Sequence, residues 1–282
     1  MRIDAHHHLW DLAVRDQPWT HGLPALHRTF RADDLRPLLA RHAIDATVVV
    51  QTTAGTEETP DLLALAAADP HVAAVVGWTD LTDPAVADRL AALGQGPGGA
   101  ALAGIRHGVQ DEPDPDWTDR PEVRRGLRAV GAAGLAYDLV VRPDQLPAAV
   151  RLVRDLPEVR LVLDHAGNPV PGDGGLTVWS PLMTELAACP NVAVKLSGLV
   201  TRPGAHGPGT DPARVLRPYA DLLLSAFGPA RLMFGSDWPV CLLSAGYDEV
   251  VALAEALTGP LSAGERAEVF GGTAARWYGI AA

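Results

Sequence analysis

Ala46-Thr47-Val48-Val49-Val50 is a β-branched run with no alternation of apolar and polar residues. Such a strand is buried on both faces, the pattern of a parallel sheet covered by helices. Working outward, it forms part of a strand over 46–53, and comparable runs recur at 2–8, 72–81, 101–109, 136–142, 159–165, 192–199 and 231–237. Between them lie stretches with helical spacing. Thr59-Pro60-Asp61, Asp83-Pro84 and Asp211-Pro212 each place a capping residue ahead of proline, and Arg120-Pro121-Glu122 is similar. Asp69-Pro70 and Leu156-Pro157 close helices before the next strand. Eight strands alternating with helices in 282 residues predict one (β/α)8 TIM barrel, a single domain over 1–282. An open doubly wound sheet is the competitor. No Gly-x-Gly-x-x-Gly turn follows the first strand, however, and the glycines of 94–99 precede a strand rather than open a helix.

Hydrophobic residues make up 48% of the chain, enough for a sizeable core. A net charge of −11 without a basic cluster argues against nucleic acid or an anionic membrane as partner. No apolar run approaches the roughly 18 residues of a membrane span, and the start lacks the apolar centre of a secretory signal, so a cytoplasmic enzyme is expected. Cys189 and Cys241 are too few for a disulfide framework. Lys195 is the only lysine, and its place in an apolar strand suggests a slot that arginine does not fill. A homo-oligomer stays open.

A barrel gathers its chemistry at the C-terminal ends of its strands. In Arg2-Ile3-Asp4-Ala5-His6-His7-His8, alternation sends His6 and His8 to one face and His7 to the other. Two neutral imidazoles so placed share a divalent cation or grip a substrate oxygen. The triplet runs on into Leu9-Trp10 rather than into polar linker, unlike a purification tag. Asp237 ends the eighth strand, which neighbours the first once the barrel closes. His165 ends the sixth, Arg106 and His107 come near the end of the fourth, and Lys195 and Ser197 fall late in the seventh. Singly, Asp237 reads as a turn residue before Trp238-Pro239 and His165 as the cap of a strand. Their convergence on one end of the barrel favours a hydrolytic site.

These residues carry a resemblance to the amidohydrolase superfamily, in the branch of sugar lactonases and 2-pyrone-4,6-dicarboxylate lactonases. The matching stretches include Ile3-Asp4-Ala5-His6-His7-His8, Gly104-Ile105-Arg106-His107, Asp164-His165-Ala166-Gly167-Asn168-Pro169, Lys195-Leu196-Ser197-Gly198 and Phe234-Gly235-Ser236-Asp237-Trp238-Pro239. The resemblance implies His6, His8, His165 and Asp237 as metal ligands for one divalent ion, zinc, with a metal-free mechanism as the alternative. It departs from the binuclear members. The fourth strand offers Arg106 and His107, and the fifth Tyr137 and Asp138, so the bridging ligand is missing. The implied reaction is hydrolysis of a sugar (aldono-) lactone to its hydroxy acid, with Asp237 as general base and His165 as a second catalytic group. Arg106, His107, Lys195 and Trp238 are then expected to hold the substrate. A pyrone dicarboxylate lactonase, a metal-dependent decarboxylase and a non-catalytic sugar-acid binder are the alternatives. No Gly-x-Ser-x-Gly elbow supports covalent catalysis. Segments 111–119 and 203–212 are candidates to overhang the mouth.

Overall fold

The computed structural model describes residues 1–172, 174–205 and 209–281. Its strands are β1 (Ile3–His7), β2 (Ala46–Val50), β3 (Val72–Gly77), β4 (Leu102–His107), β5 (Ala136–Leu139), β6 (Arg160–Leu163), β7 (Val192–Leu196) and β8 (Leu232–Phe234). They pair in parallel, in chain order, as one eight-stranded sheet. The two edges meet where His7 bridges Trp238 and the His8 amide donates to the Trp238 carbonyl at 2.7 Å. The result is a (β/α)8 barrel. Its outer layer is α1 (Ala32–Arg41), α2 (Glu58–Ala68), α3 (Val86–Gln95), α4 (Pro121–Ala132), α5 (Leu146–Asp155), α6 (Gly175–Ala187), α7 (Pro212–Phe227) and α8 (Tyr247–Leu257). Two short helices, α9 (Ala263–Ala267) and α10 (Thr273–Tyr278), follow. Among the described residues, no helix is long and apolar enough to cross a membrane.

The helices form where an apolar stripe meets a start signal. In α5, Leu146, Ala149, Val150 and Val153 lie at helical spacing and are all buried. In α7 the Asp211 carboxylate accepts from the Ala213 amide at 3.0 Å, Pro212 takes the first position, and Leu216, Tyr219, Ala220, Leu223 and Phe227 face inward. The start of α2 differs from expectation. Thr59 does not cap it, because its hydroxyl accepts from the Trp78 amide at 2.8 Å and donates to the Trp78 carbonyl. The helix begins two residues earlier, at Glu58 rather than Pro60, and the Glu58 carboxylate accepts from the amides of Thr52 and Thr53.

Packing divides into an outer shell between sheet and helices and a smaller inner core. The inner core holds Ile3, Ala5, Val48, Val50, Ala136, Val162, Ala193 and Met233, closed below by Ala274 and Tyr278 of α10. Parity in β1 is reset by a bulge: Asp4 pairs with Thr47 and His7 with Val49, so three steps of β1 span two of β2. Ala5 thereby joins the inner core, while His6 and His8 still turn into the barrel and His7 out. Asp4 pins this irregularity. Its carboxylate accepts from the amides of His6 (3.2 Å) and Ser236 (2.8 Å) and from the Tyr247 hydroxyl (3.1 Å), tying β1 to the end of β8 and to α8.

Candidate active site

Strand ends at the top of the barrel carry backbone that only a constrained site tolerates. His165, Ala166, Asn168 and Asp237 all have φ between 51° and 57°, although none is glycine. Each costs of order 1–3 kcal/mol and persists because the surrounding structure over-determines it. Two neighbouring tethers do this work. The Asp237 amide donates to the His6 carbonyl (2.8 Å), and the Asn168 side-chain amide donates to the Val141 carbonyl (2.8 Å).

His6 Nε2 and His8 Nε2 lie 3.2 Å apart, and Asp237 Oδ1 stands 3.7 Å and 3.6 Å from them. Ligands about 2.1 Å from a tetrahedral ion are about 3.4 Å from one another, so these three atoms fit a single divalent cation. The tautomer of His8 agrees with this. His8 Nδ1 donates to the Val50 carbonyl at 2.7 Å, leaving the Nε2 lone pair toward the centre. His6 Nδ1 lies between a cation and a carboxylate, 3.0 Å from Lys195 Nζ and 3.3 Å from Asp164 Oδ1. Burial, and then the nearby Lys195 charge, push His6 well below the ordinary imidazole range, so it is neutral near pH 7. Burial alone would raise Asp237, but His165, His8 and His6 around it hold it below the ordinary carboxylate range, so it is ionised.

His165 stands beside this trio rather than within it. Its ring centroid is 4.6 Å from that of His6, and its Nδ1 meets the Ser197 hydroxyl at 2.9 Å. The donor set it shares is with His6 and Asp164, and Asp164 is already committed to cations. Burial lowers the His165 imidazole, so it too is neutral. His8, His165 and Asp237 form the floor of a cavity of about 240 Å³, walled by Arg106, Arg202 and Trp19 among others. A larger hollow of about 560 Å³ lies between the segment after β1 and helices α1 and α2, and holds none of His6, His8, His165 or Asp237.

Three residues expected to touch substrate lie elsewhere. Lys195 is fully enclosed beneath the imidazoles, its Nζ donating to Asp138, 3.1 Å from Asp164 Oδ1 and 3.0 Å from His6 Nδ1. It lies one residue before the end of β7, too deep to line the cavity. His107 points out of the barrel because its neighbour Arg106 points in. It stacks on Trp117 at 4.4 Å, accepts from Trp78 Nε1 and contacts Glu112 at 2.8 Å. Trp238 is buried at the closing seam, edge-on to Phe30 at 5.3 Å. Trp10 packs in the same core, and Trp78 lines a separate hollow beside α3. Arg106 does wall the cavity, with Nη1 3.2 Å from Asp164 Oδ2 and Nη2 donating to the Gln51 carbonyl.

Sequence reading missed Asp164, which sits at the centre of the buried polar layer. Burial would raise its carboxyl, but Lys195, His6 and Arg106 hold it well below the ordinary range. It also missed Asp138, whose two oxygens accept from the Tyr278 hydroxyl at 2.9 and 2.8 Å, and Trp19 and Arg202 at the mouth. The Asp164-His165 pair was a visible signal: two polar residues after an apolar strand cannot both be solvated at a barrel's core. Of the proposed overhanging segments, Asp111 reaches the cavity while Trp117 packs outside. Residues 206–208 within 203–212 lie outside the described residues.

Fold and site together define a (β/α)8-barrel hydrolase. The family model described as amidohydrolase matches residues 3–280, and the chain belongs to that family. It is 43% identical to an L-fucono-1,5-lactonase of Burkholderia multivorans, over 99% of this chain and 96% of that one, and 41% identical, at the same coverage, to an L-fucono-1,5-lactonase of Burkholderia ambifaria. A solved amidohydrolase from Burkholderia multivorans with bound zinc superposes with a TM-score of 0.92 at 42% identity, covering 100% of both chains. A putative 2-pyrone-4,6-dicarboxylic acid hydrolase from Pseudomonas putida shares the fold, with a TM-score of 0.79 at 24% identity.

Proposed function

We propose that this chain opens a sugar aldono-lactone to its hydroxy acid at the His6, His8 and Asp237 centre. The observation that carries this reading is the ionised Asp237 carboxylate set 3.6 and 3.7 Å from two imidazole nitrogens at the floor of a closed-in cavity. At about 240 Å³ that cavity suits a ligand smaller than a drug-sized molecule, such as a monosaccharide lactone. The L-fucono-1,5-lactonases at 43% and 41% identity support the substrate class.

His6 Nε2, His8 Nε2 and Asp237 Oδ1 would hold one divalent cation, and the zinc in the Burkholderia multivorans structure supports that metal. When bound, the cation supplies Lewis acidity to the ester carbonyl, on whose oxygen negative charge develops. Asp237, with Oδ1 turned toward the imidazoles, takes a proton from the attacking water on Oδ2. The same carboxyl then returns that proton to the ring oxygen as the acyl–oxygen bond breaks. His165, neutral and fixed through Ser197, orients the carbonyl, and Arg106 closes the side of the site nearest His6.

A pH-indicator assay of the purified protein against L-fucono-1,5-lactone and other aldono-1,4- and 1,5-lactones tests this. Acid release that a chelator abolishes and zinc restores is the expected result. No acid release from any aldono-lactone by metal-loaded protein would overturn the reading.

A further inference from the structure

Asp111 ends the short turn Val109–Asp111 after β4, and its side chain lines the same cavity as His8, His165 and Asp237. None of the hydrogen bonds or ion pairs among the described residues engages its carboxylate. The two guanidinium groups in that cavity are in the opposite state. Each nitrogen of Arg202 already donates: Nε to the Gly198 carbonyl (3.1 Å), Nη1 to Asn168 Oδ1 (2.7 Å) and Nη2 to Thr201 Oγ1 (3.0 Å). Arg106 spends its two terminal nitrogens on Asp164 and the Gln51 carbonyl, and its Nε is sealed from solvent. The cavity therefore offers one carboxylate that no protein group engages, beside two guanidinium groups that protein acceptors hold in place.

That contrast decides what the wall can read. A carboxylate accepts hydrogen bonds only, and its two oxygens suit two neighbouring hydroxyls. A substrate carboxylate placed against Asp111 would instead meet a like charge at that wall, a contact that costs affinity. Resting on the lactonase reading, we propose that Asp111 determines specificity, holding the hydroxyls of a neutral polyhydroxy lactone and disfavouring lactones that set an additional carboxylate against it. The negatively charged hydroxy acid formed by ring opening leaves against the same wall.

The test compares wild type, Asp111→Ala and Asp111→Asn on three substrates: an aldono-1,5-lactone, an analogue lacking its hydroxyls distal to the carbonyl, and a lactone bearing a carboxylate at that distal position. Hydrogen bonds to a charged group are worth roughly a factor of ten or more. Asp111→Ala should raise KM for the aldono-lactone at least about tenfold with little change in kcat, and barely affect the deoxygenated analogue. Both variants should improve kcat/KM for the carboxylated lactone relative to the neutral one at least about tenfold. Asp111 is exposed at the rim, and an unchanged melting temperature verifies that the variants fold. An active wild type whose variants keep KM and the substrate ratio, or lose all three substrates equally, overturns the role of Asp111 alone. A wild type that turns over no lactone overturns the functional reading and this one with it.

Discussion

Asp237 and His6 are joined twice: the Asp237 amide donates to the His6 carbonyl at 2.8 Å, and the Asp237 carboxylate stands 3.7 Å from His6 Nε2. The backbone tie closes the barrel and the side-chain approach builds the site, so the two contributions separate on mutation. Asp237→Asn keeps the amide bond to His6 and should leave the urea midpoint nearly unchanged. It should lower kcat on a lactone at least about a hundredfold, the range for loss of a positioned general base. His8→Ala should lose bound metal and activity together, which metal analysis beside the rate assay reads. Near-normal turnover in Asp237→Asn would refute the role given to this carboxylate.

Gly198 follows β7 with φ of 62°, in the left-handed region. A Cβ there would stand 2.6 Å from His165 Nδ1 and 3.1 Å from Asp237 Oδ2. Gly198→Ala therefore displaces both site residues as well as straining the turn, by about 1–2 kcal/mol. We expect a lower melting temperature and a fall in kcat approaching a hundredfold, as for a misplacement of about 1 Å. Unchanged kcat would mean that the site accommodates the methyl group.

Lys195 is wedged between Asp138 and Asp164, all three fully buried. Lys195→Met leaves two carboxylates without their cation and should destabilise the fold by about 3–5 kcal/mol, measured by urea unfolding. What remains folded should keep its KM for lactone, because Lys195 does not reach the cavity. A raised KM at unchanged stability would restore the substrate-binding role expected from sequence.

His7 is enclosed against α1 and the start of β2, with neither ring nitrogen hydrogen-bonded, and burial lowers its pKa to about 3 from the ordinary 6.5. Below about pH 6.5 the unfolded chain takes up a proton here that the folded chain refuses until about pH 3. Stability from this group is therefore complete above about 6.5 and falls with pH through that window, by about 1.4 kcal/mol per unit. His7→Leu should flatten the fall in urea midpoint between pH 7 and pH 5 relative to wild type. Parallel curves for the two proteins would show that His7 does not titrate on unfolding.

The barrel was readable because its strands are locally consistent: Ala46–Val50 is buried throughout, as an unbroken β-branched run implies. His6, His8 and Asp237 were readable because strand parity and barrel closure are rules of geometry that need no side-chain packing. Depth was not. Lys195 and Arg106 both follow apolar strand residues, yet one lies beneath the imidazoles and the other walls the cavity, a difference set by the stagger between neighbouring strands. His107 shows the same limit, since one residue of register separates the cavity from the helix layer. The expected strands also run longer than the ladders, as at β5, which stops at Leu139 although Val140 and Val141 remain buried. Burial produced the apolar signal there, without pairing.

The enclosure of the only lysine has a practical consequence for anyone handling this protein. The folded surface presents no side-chain amine, so acylating reagents and amine-directed cross-linkers find no lysine to modify until the barrel opens. Covalent capture of Lys195, read by mass spectrometry over time, is thereby a clock for global unfolding that reports from directly beneath His6.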